Sequence, residues 1–349
     1  MPILDSFLDL GLNVVAVYAP EHGLWGHLSA GKVVRDTTYR GVPVYSLYGP
    51  RKAPSPADLA GVEAVLFALR DVGVRYYTYL STLSLVLRAA AAAQKPVWIL
   101  DFPNPHAHYA YGPLMDSSLF SFVGLHATPL VLGLTIGEYA QLLVGEGWVP
   151  PCQIRVVPWR GWRRKVSLPW AAEAQAFWNE PPSPALRSPD AVHLYPILGW
   201  YDASTFVSVG RGLDSAFTVI GWTPDRSSPR LPFRDTVLYG YKLRMVRFTP
   251  KEGARKGQVC TGWRILPPSV PVVDSLFRLG FLLLQTAYEA AAPEKVDSLW
   301  EPEFFDKLAG SPLIRWSIER GLSSEQLYLD QKAPPSWEAL REKYRLYPD

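Results

Sequence analysis

Up to residue 157 the chain alternates short apolar runs rich in β-branched residues with longer stretches of helical periodicity, and beyond Pro158 that alternation stops. A repeated strand-then-helix order feeds a mostly parallel sheet, because each crossover helix returns the chain to the same end of the sheet. Asn13 to Tyr18, Glu63 to Leu69, Pro96 to Asp101 and Gln153 to Val157 are the strand candidates, each short and apolar as strands covered on both faces are. Tyr77 to Gln94 and Thr135 to Glu146 are the intervening helices. The second opens on Thr135-Ile136-Gly137-Glu138, a capping box that makes Glu138 structural. After Pro158 the sequence turns aromatic and proline-rich, with Pro181-Pro182-Ser183-Pro184 as punctuation. Strand candidates at Leu243 to Phe248 and Gln258 to Ile265, and helices over Val272 to Ala290, Glu301 to Leu308 and Trp337 to Tyr344, make a smaller α+β unit. The expected organisation is an α/β domain over residues 1–157 and an auxiliary α+β domain over 158–349.

Composition and failed motifs narrow the function. A net charge of +3 without a basic stripe argues against nucleic acid as a partner. Cys152 and Cys260 match no zinc or redox spacing. No apolar run approaches the roughly 18 residues of a membrane span. Met1-Pro2-Ile3-Leu4-Asp5 has neither the basic nor the apolar region of a leader. The expectation is cytoplasmic for the chain as it stands, and secreted or periplasmic if a leader precedes Met1; oligomeric state stays open. Gly26 to Val33 comes close to a phosphate-binding loop, but Val33 stands where a hydroxyl must hold magnesium and a β-branched run replaces the helix. Gly210-Arg211-Gly212 lacks the third glycine of a dinucleotide fingerprint. His106 and His108 beside Asp101 supply too few fixed ligands for a metal, so no metal or other cofactor is expected.

The polar residues concentrate at strand ends, where open α/β sheets bind ligands. Glu21, with His22 and Trp25, follows the first strand and has the chemistry of a general acid. A solvated loop glutamate is the alternative. Asp71, Arg75, Tyr76, Tyr77 and Tyr79 follow the second strand; tyrosines offer a sugar both a ring face and a hydroxyl. The competing reading is that the tyrosines begin the next helix while Asp71 pairs with Arg75. Asp101 and Asn104 end the third strand, Asn104 in a proline-flanked turn. Arg211 lies between two glycines, suited either to an anionic group or to a plain surface turn.

In this order, the segments Pro20 to Gly26, Gly41 to Gly49, Asp71 to Tyr79, Asp101 to Pro105, Gly112-Pro113, Ser121 to Gly124, Thr135 to Glu138 and Ser208 to Gly212 resemble the family of NamZ-type exo-β-N-acetylmuramidases over nearly the whole chain. The resemblance implies a Rossmann-like domain, a smaller auxiliary domain and a sugar bound between them. It further implies release of N-acetylmuramic acid from the non-reducing end of peptidoglycan fragments, with a peptidoglycan-derived oligosaccharide as partner. Glu21 then corresponds to the family's glutamate, as general acid, and Tyr77 and Tyr79 to its tyrosines, orienting the sugar or stabilising positive charge. Asp71 and Arg75 support them, Asn104 and Arg211 reach hydroxyls or the lactyl carboxylate, and His22, Asp101 and Ser208 complete the sugar-binding set.

The chain also departs from the pattern. Ala203-Ser204-Thr205-Phe206 stands where the family reads Glu-Gly-Thr-Asn, Phe102 where it reads Arg, and Arg70 where it reads Gln. Glycoside hydrolysis commonly uses two carboxylates. Asp202 or Asp71 must therefore supply the second, or the chain binds cell-wall sugars without cleaving them or acts on another glycan.

Overall fold

The computed structural model describes residues 3–164, 181–224, 234–270, 272–291, 299–329 and 331–349. A short helix α1 (Ile3–Asp9) precedes β1 (Val17–Ala19), and β2 (Thr37–Tyr39) and β3 (Val42–Ser46) form a hairpin. The hairpin turns through Arg40 and Gly41, both at positive φ, as two-residue hairpin turns require. β1 pairs with β3 in parallel, so the first strand candidate belongs to a three-stranded sheet of order β1-β3-β2 with its own apolar cluster of Ala19, Val34 and Val44.

The parallel sheet is β4 (Val65–Phe67), β5 (Val97–Leu100) and β6 (Ile154–Val157), in that order. Helices α2 (Tyr79–Ala92) and α3 (Ile136–Gly145) bury one side of it. Val97 and Ile99 are inaccessible, whereas Trp98 between them is 40% exposed, with Arg155 stacked over its ring at 4.7 Å. Coverage of both faces is thus not what the described residues show: the strands alternate, and Leu66 and Val157 join Trp98 on the open side. The capping box forms as expected. Thr135 Oγ1 accepts from the Glu138 amide, and Glu138 Oε2 accepts from the Thr135 amide at 2.8 Å. Glu138 Oε1 meets Arg164 in a fully buried ion pair and accepts from the Leu346 amide, fastening the C-terminal tail to α3.

In the second half, α4 (Pro189–Leu198) runs into a 3-10 turn over Gly199–Ala203. A four-stranded antiparallel sheet of order β7-β10-β9-β8 follows, from β7 (Val219–Trp222), β8 (Thr236–Leu238), β9 (Tyr241–Phe248) and β10 (Cys260–Leu266). The long amphipathic α5 (Val273–Ala290) and the short helices α6 (Pro302–Ala309), α7 (Leu313–Glu319), α8 (Ser324–Leu329) and α9 (Pro335–Lys343) complete the chain. One apolar core runs through both halves, from Leu83, Val97 and Ile99 to Trp200, Trp263 and Phe281. Among the described residues no helix is long and apolar enough to cross a membrane.

Candidate active site

A cavity of about 670 Å³ lies where the loops after β1 and β4 meet the 3-10 turn and the β9–β10 connection. Glu21, His22, Tyr77, Ser208 and Arg211 line it, together with Tyr48, Lys52, Thr78, Asp202 and Glu252. Glu21 reaches it because the chain reverses directly after β1. His22 takes a left-handed φ of 73°, uncommon outside glycine, and its Nδ1 is 2.7 Å from the Leu28 carbonyl. Burial holds the imidazole below its usual range against the opposing pull of that carbonyl and of Glu21.

Both Glu21 oxygens are held. The Gly31 amide donates to Oε1 at 3.1 Å, and Thr78 Oγ1 donates to Oε2 at 2.8 Å. Thr78 is the N-cap residue of α2, yet its side chain makes no capping bond; the hydroxyl is directed at Glu21 instead. The Tyr48 phenol also meets Glu21, and burial, reinforced by that carboxylate, pushes it up to about 12.

The predicted tyrosines divide. Tyr77 lines the cavity with its ring while its hydroxyl donates to the Pro182 carbonyl at 2.7 Å. Tyr79 stands behind Glu21, its hydroxyl 3.3 Å from the Glu21 carbonyl oxygen, and packs edge-on to Tyr77 at 4.8 Å. Tyr79 thus begins α2 and buttresses the acid rather than facing the cavity.

Asp71, Arg75, Asp101 and Asn104 do not line the cavity. Asp71 is buried, accepts from the Gly73 amide and leaves Oδ1 without a partner; burial pushes its carboxyl up to about 7, opposed by the Gly73 and Val72 amides. The Asp71 to Arg75 pair does not form, since Arg75 donates to the Leu308 carbonyl at 2.7 Å instead. Asn104 bridges the Leu134 carbonyl and the His106 amide and packs on Gly73. Gly73 has φ +73°, and a Cβ there would lie 2.2 Å from Asn104, so only glycine fits.

Asp101 accepts from Thr135 Oγ1 at 2.6 Å, Tyr347 Oη at 2.8 Å and the Gly137 amide at 2.9 Å. Burial raises it to about 6 against those three bonds. Its carboxylate is thereby committed to joining α3 and the C-terminal tail to β5, and sugar binding is not open to it. His106 is equally committed: Nε2 contacts the Val192 carbonyl and Nδ1 the Tyr109 hydroxyl, and burial lowers it to about 3. Among the described residues no group of metal-ligand types is positioned to hold an ion.

On the opposite wall, Arg211 forks onto Asp202, Nε to Oδ1 at 2.7 Å and Nη2 to Oδ2. Burial pulls the guanidinium down, and Asp202 more than offsets it, so Arg211 is held above its ordinary value. Ala203, in place of the family glutamate, is buried and outside the lining, while Asp202 before it and Ser204 after it face the cavity. Phe206 stacks on Trp222 within the core. The Lys251 and Glu252 amides donate to the Arg211 carbonyl, and Ser29 Oγ donates to Glu252 Oε1 at 2.6 Å, joining the two halves of the chain beside the cavity. Sequence reasoning passed over Tyr48, Lys52, Thr78 and Glu252 as site residues. Tyr48 and Thr78 lie inside segments that carry the family resemblance, whereas Glu252 has no local signal at all.

Models of the N-terminal and C-terminal parts of exo-β-N-acetylmuramidase NamZ match residues 1–190 and 193–347. The composition shift near Pro158 thus falls inside the N-terminal match. The chain is 33% identical over 347 residues to the peptidoglycan β-N-acetylmuramidase NamZ of Bacillus subtilis strain 168, covering 96% of this chain and 80% of that protein. Crystal structures of two DUF1343 family proteins from Bacteroides fragilis NCTC 9343 share its fold. One has a TM-score of 0.74 at 26% identity over 96% of this chain and 87% of that one. The other has a TM-score of 0.75 at 28% identity over 99% and 90%. With both halves of the family matched in order along one chain, and a relative 33% identical over most of its length, the protein belongs to the NamZ exo-β-N-acetylmuramidase family.

Proposed function

We propose that this protein is a glycoside hydrolase that releases N-acetylmuramic acid from the non-reducing end of peptidoglycan fragments, with Glu21 as general acid. The observation that carries the reading is the Glu21 carboxyl at the cavity wall, oriented by a backbone amide on one oxygen and by the Thr78 hydroxyl on the other. A hydroxyl either donates or accepts, so the site accommodates Glu21 with and without its proton. Glu21 gives that proton to the glycosidic oxygen; the bond to the anomeric carbon breaks, its electron pair leaves with the oxygen, and the sugar ring becomes oxocarbenium-like.

A second carboxylate is needed to offset that positive charge and to assist water or attack the anomeric carbon. Asp202 fits better than Asp71, because it faces the cavity whereas Asp71 is buried outside the lining. Its bidentate bond to Arg211 holds the carboxylate in one orientation. The loss of the family glutamate at Ala203 therefore leaves a negative group next door, one residue earlier.

The test is product analysis with a disaccharide carrying N-acetylmuramic acid at its non-reducing end. The parent protein releases the monosaccharide, and Glu21→Gln, which keeps the Gly31 and Thr78 contacts in shape, releases none while unfolding at the same temperature. Cleavage by Glu21→Gln at the parental rate would remove Glu21 from the role of acid, and no release by the parent would sink the glycosidase reading.

A further inference from the structure

The sugar assigned under the preceding reading differs from N-acetylglucosamine by a lactyl ether that ends in a carboxylate, so the cavity needs a cation to receive it. Lys52, Arg187 and Arg211 are the lysine and arginine side chains of the lining. Arg211 is already forked onto Asp202, and a second carboxylate there would face that aspartate. Arg187 donates to Asp214 at 2.7 Å on an exposed surface. Lys52 differs from both: among the described residues no carboxylate lies within ion-pair distance of its ammonium.

Its nitrogen instead sits over two aromatic faces, 4.4 Å from the centre of Tyr48 and 4.2 Å from that of Phe122. Both rings also line the cavity. Each such contact attracts the cation, and together they restrict a side chain that is otherwise free to swing. Rings leave the ammonium's hydrogen-bond donors unused, since a π face engages the charge without supplying a carboxylate oxygen. Tyr48 touches Glu21, so the ammonium stands on the wall that carries the acid. The lactyl group is borne by the same pyranose ring as the anomeric carbon, so acid and carboxylate receptor must share one chamber, as Glu21 and Lys52 do.

We infer that Lys52, clamped between Tyr48 and Phe122, receives the substrate's lactyl carboxylate and sets the preference for N-acetylmuramic acid over neutral amino sugars. This rests on the glycosidase reading but is tested apart from it. Partial burial holds the ammonium somewhat below its usual range, with Glu21 opposing that shift. An incoming carboxylate opposes that shift in the same sense as Glu21 does.

The experiment is calorimetric titration of N-acetylmuramic acid and of its uncharged lactyl carboxamide into the parent protein, Lys52→Met and Lys52→Arg, at low salt. The parent binds the acid at least tenfold more tightly than the carboxamide. Lys52→Met, whose apolar stem still fills the space between the rings, binds the two alike, with carboxamide affinity unchanged; Lys52→Arg restores the preference. A preference that survives in Lys52→Met, an equal loss for both ligands, or a parent that binds acid and carboxamide alike overturns the assignment. Unchanged melting temperatures exclude misfolding as the cause. Disaccharide cleavage by the parent is measured in parallel: release of sugar with the preference intact in Lys52→Met defeats the Lys52 proposal alone, whereas no release defeats the glycosidase reading.

Discussion

At the scale of single residues, the site depends on where hydrogen bonds are sent rather than on how many there are. Thr78 occupies a position at which a threonine usually caps its own helix, yet it donates to Glu21. Thr78→Val removes that donor from a carboxyl group, a bond worth about 1.5–3 kcal/mol when one partner is charged, so kcat for sugar release falls roughly tenfold to a hundredfold. Steady-state kinetics check it, and an unchanged kcat would mean that Glu21 needs no such support. Asp71 gives a pH signature. Its carboxyl titrates near 7 in the folded protein against an ordinary value of 3.8, so the native state holds the proton that the unfolded chain releases. Stability from this group is complete below about pH 4 and declines as pH rises toward 7, by up to about 1.4 kcal/mol for each pH unit between. Asp71→Asn flattens that decline, which urea unfolding at a series of pH values between 4 and 8 measures as the difference from the parent.

At the scale of elements, α3 shows how a local motif is recruited for tertiary ends. The capping box is written in four consecutive residues, and it forms. Glu138 then uses its other oxygen on Arg164 and on the tail, and the Thr135 hydroxyl donates a hydrogen bond to Asp101. Thr135→Ala costs about 0.5–2 kcal/mol, as cap losses do, whereas Glu138→Gln, which strips the charge facing buried Arg164, costs on the order of 3–5 kcal/mol. Chemical denaturation of the two variants ranks them; the reverse order would mean that the cap, not the ion pair, holds α3. The helices legible from periodicity came out within a residue or two, because α2, α3 and α5 each carry a full apolar face. The partner of β1 was not legible. A three-residue strand is too short to advertise which sheet it joins, and its ladder with β3 depends on a hairpin that the apolar pattern did not reveal.

At the scale of the whole molecule, the cavity exists because loops from both halves of one continuous core converge on it. The Ser29 to Glu252 bond spans 223 positions of sequence and ties the loop after β1 to the β9–β10 connection. Ser29→Ala removes it at a cost of about 0.5–1.5 kcal/mol and loosens the wall around bound sugar, so KM rises a few-fold while kcat changes less. Kinetics together with hydrogen exchange over residues 249–257 test this; a KM at the parental value with unaltered exchange would leave the contact without influence on the site.

Read alone, the sequence determined what short-range physics encodes: the strands β4, β5 and β6 and the helices α2, α3 and α5, the capping box at Thr135 and Glu138, and the motif that places Glu21 just after a strand. Those features are decided within a few residues, by backbone sterics, side-chain periodicity and local hydrogen bonds. Only the tertiary structure decided which polar groups are free to meet a ligand. Asp101, Asn104 and Arg75 are absorbed into the scaffold, Asp202 is fixed by Arg211, and Lys52 has aromatic neighbours in place of a carboxylate. A polar group becomes available for chemistry when packing leaves it facing the cavity instead of committing it to the scaffold. Nearness in space is set by the packing of segments far apart in the chain, as with Thr78 and Glu21, 57 positions apart.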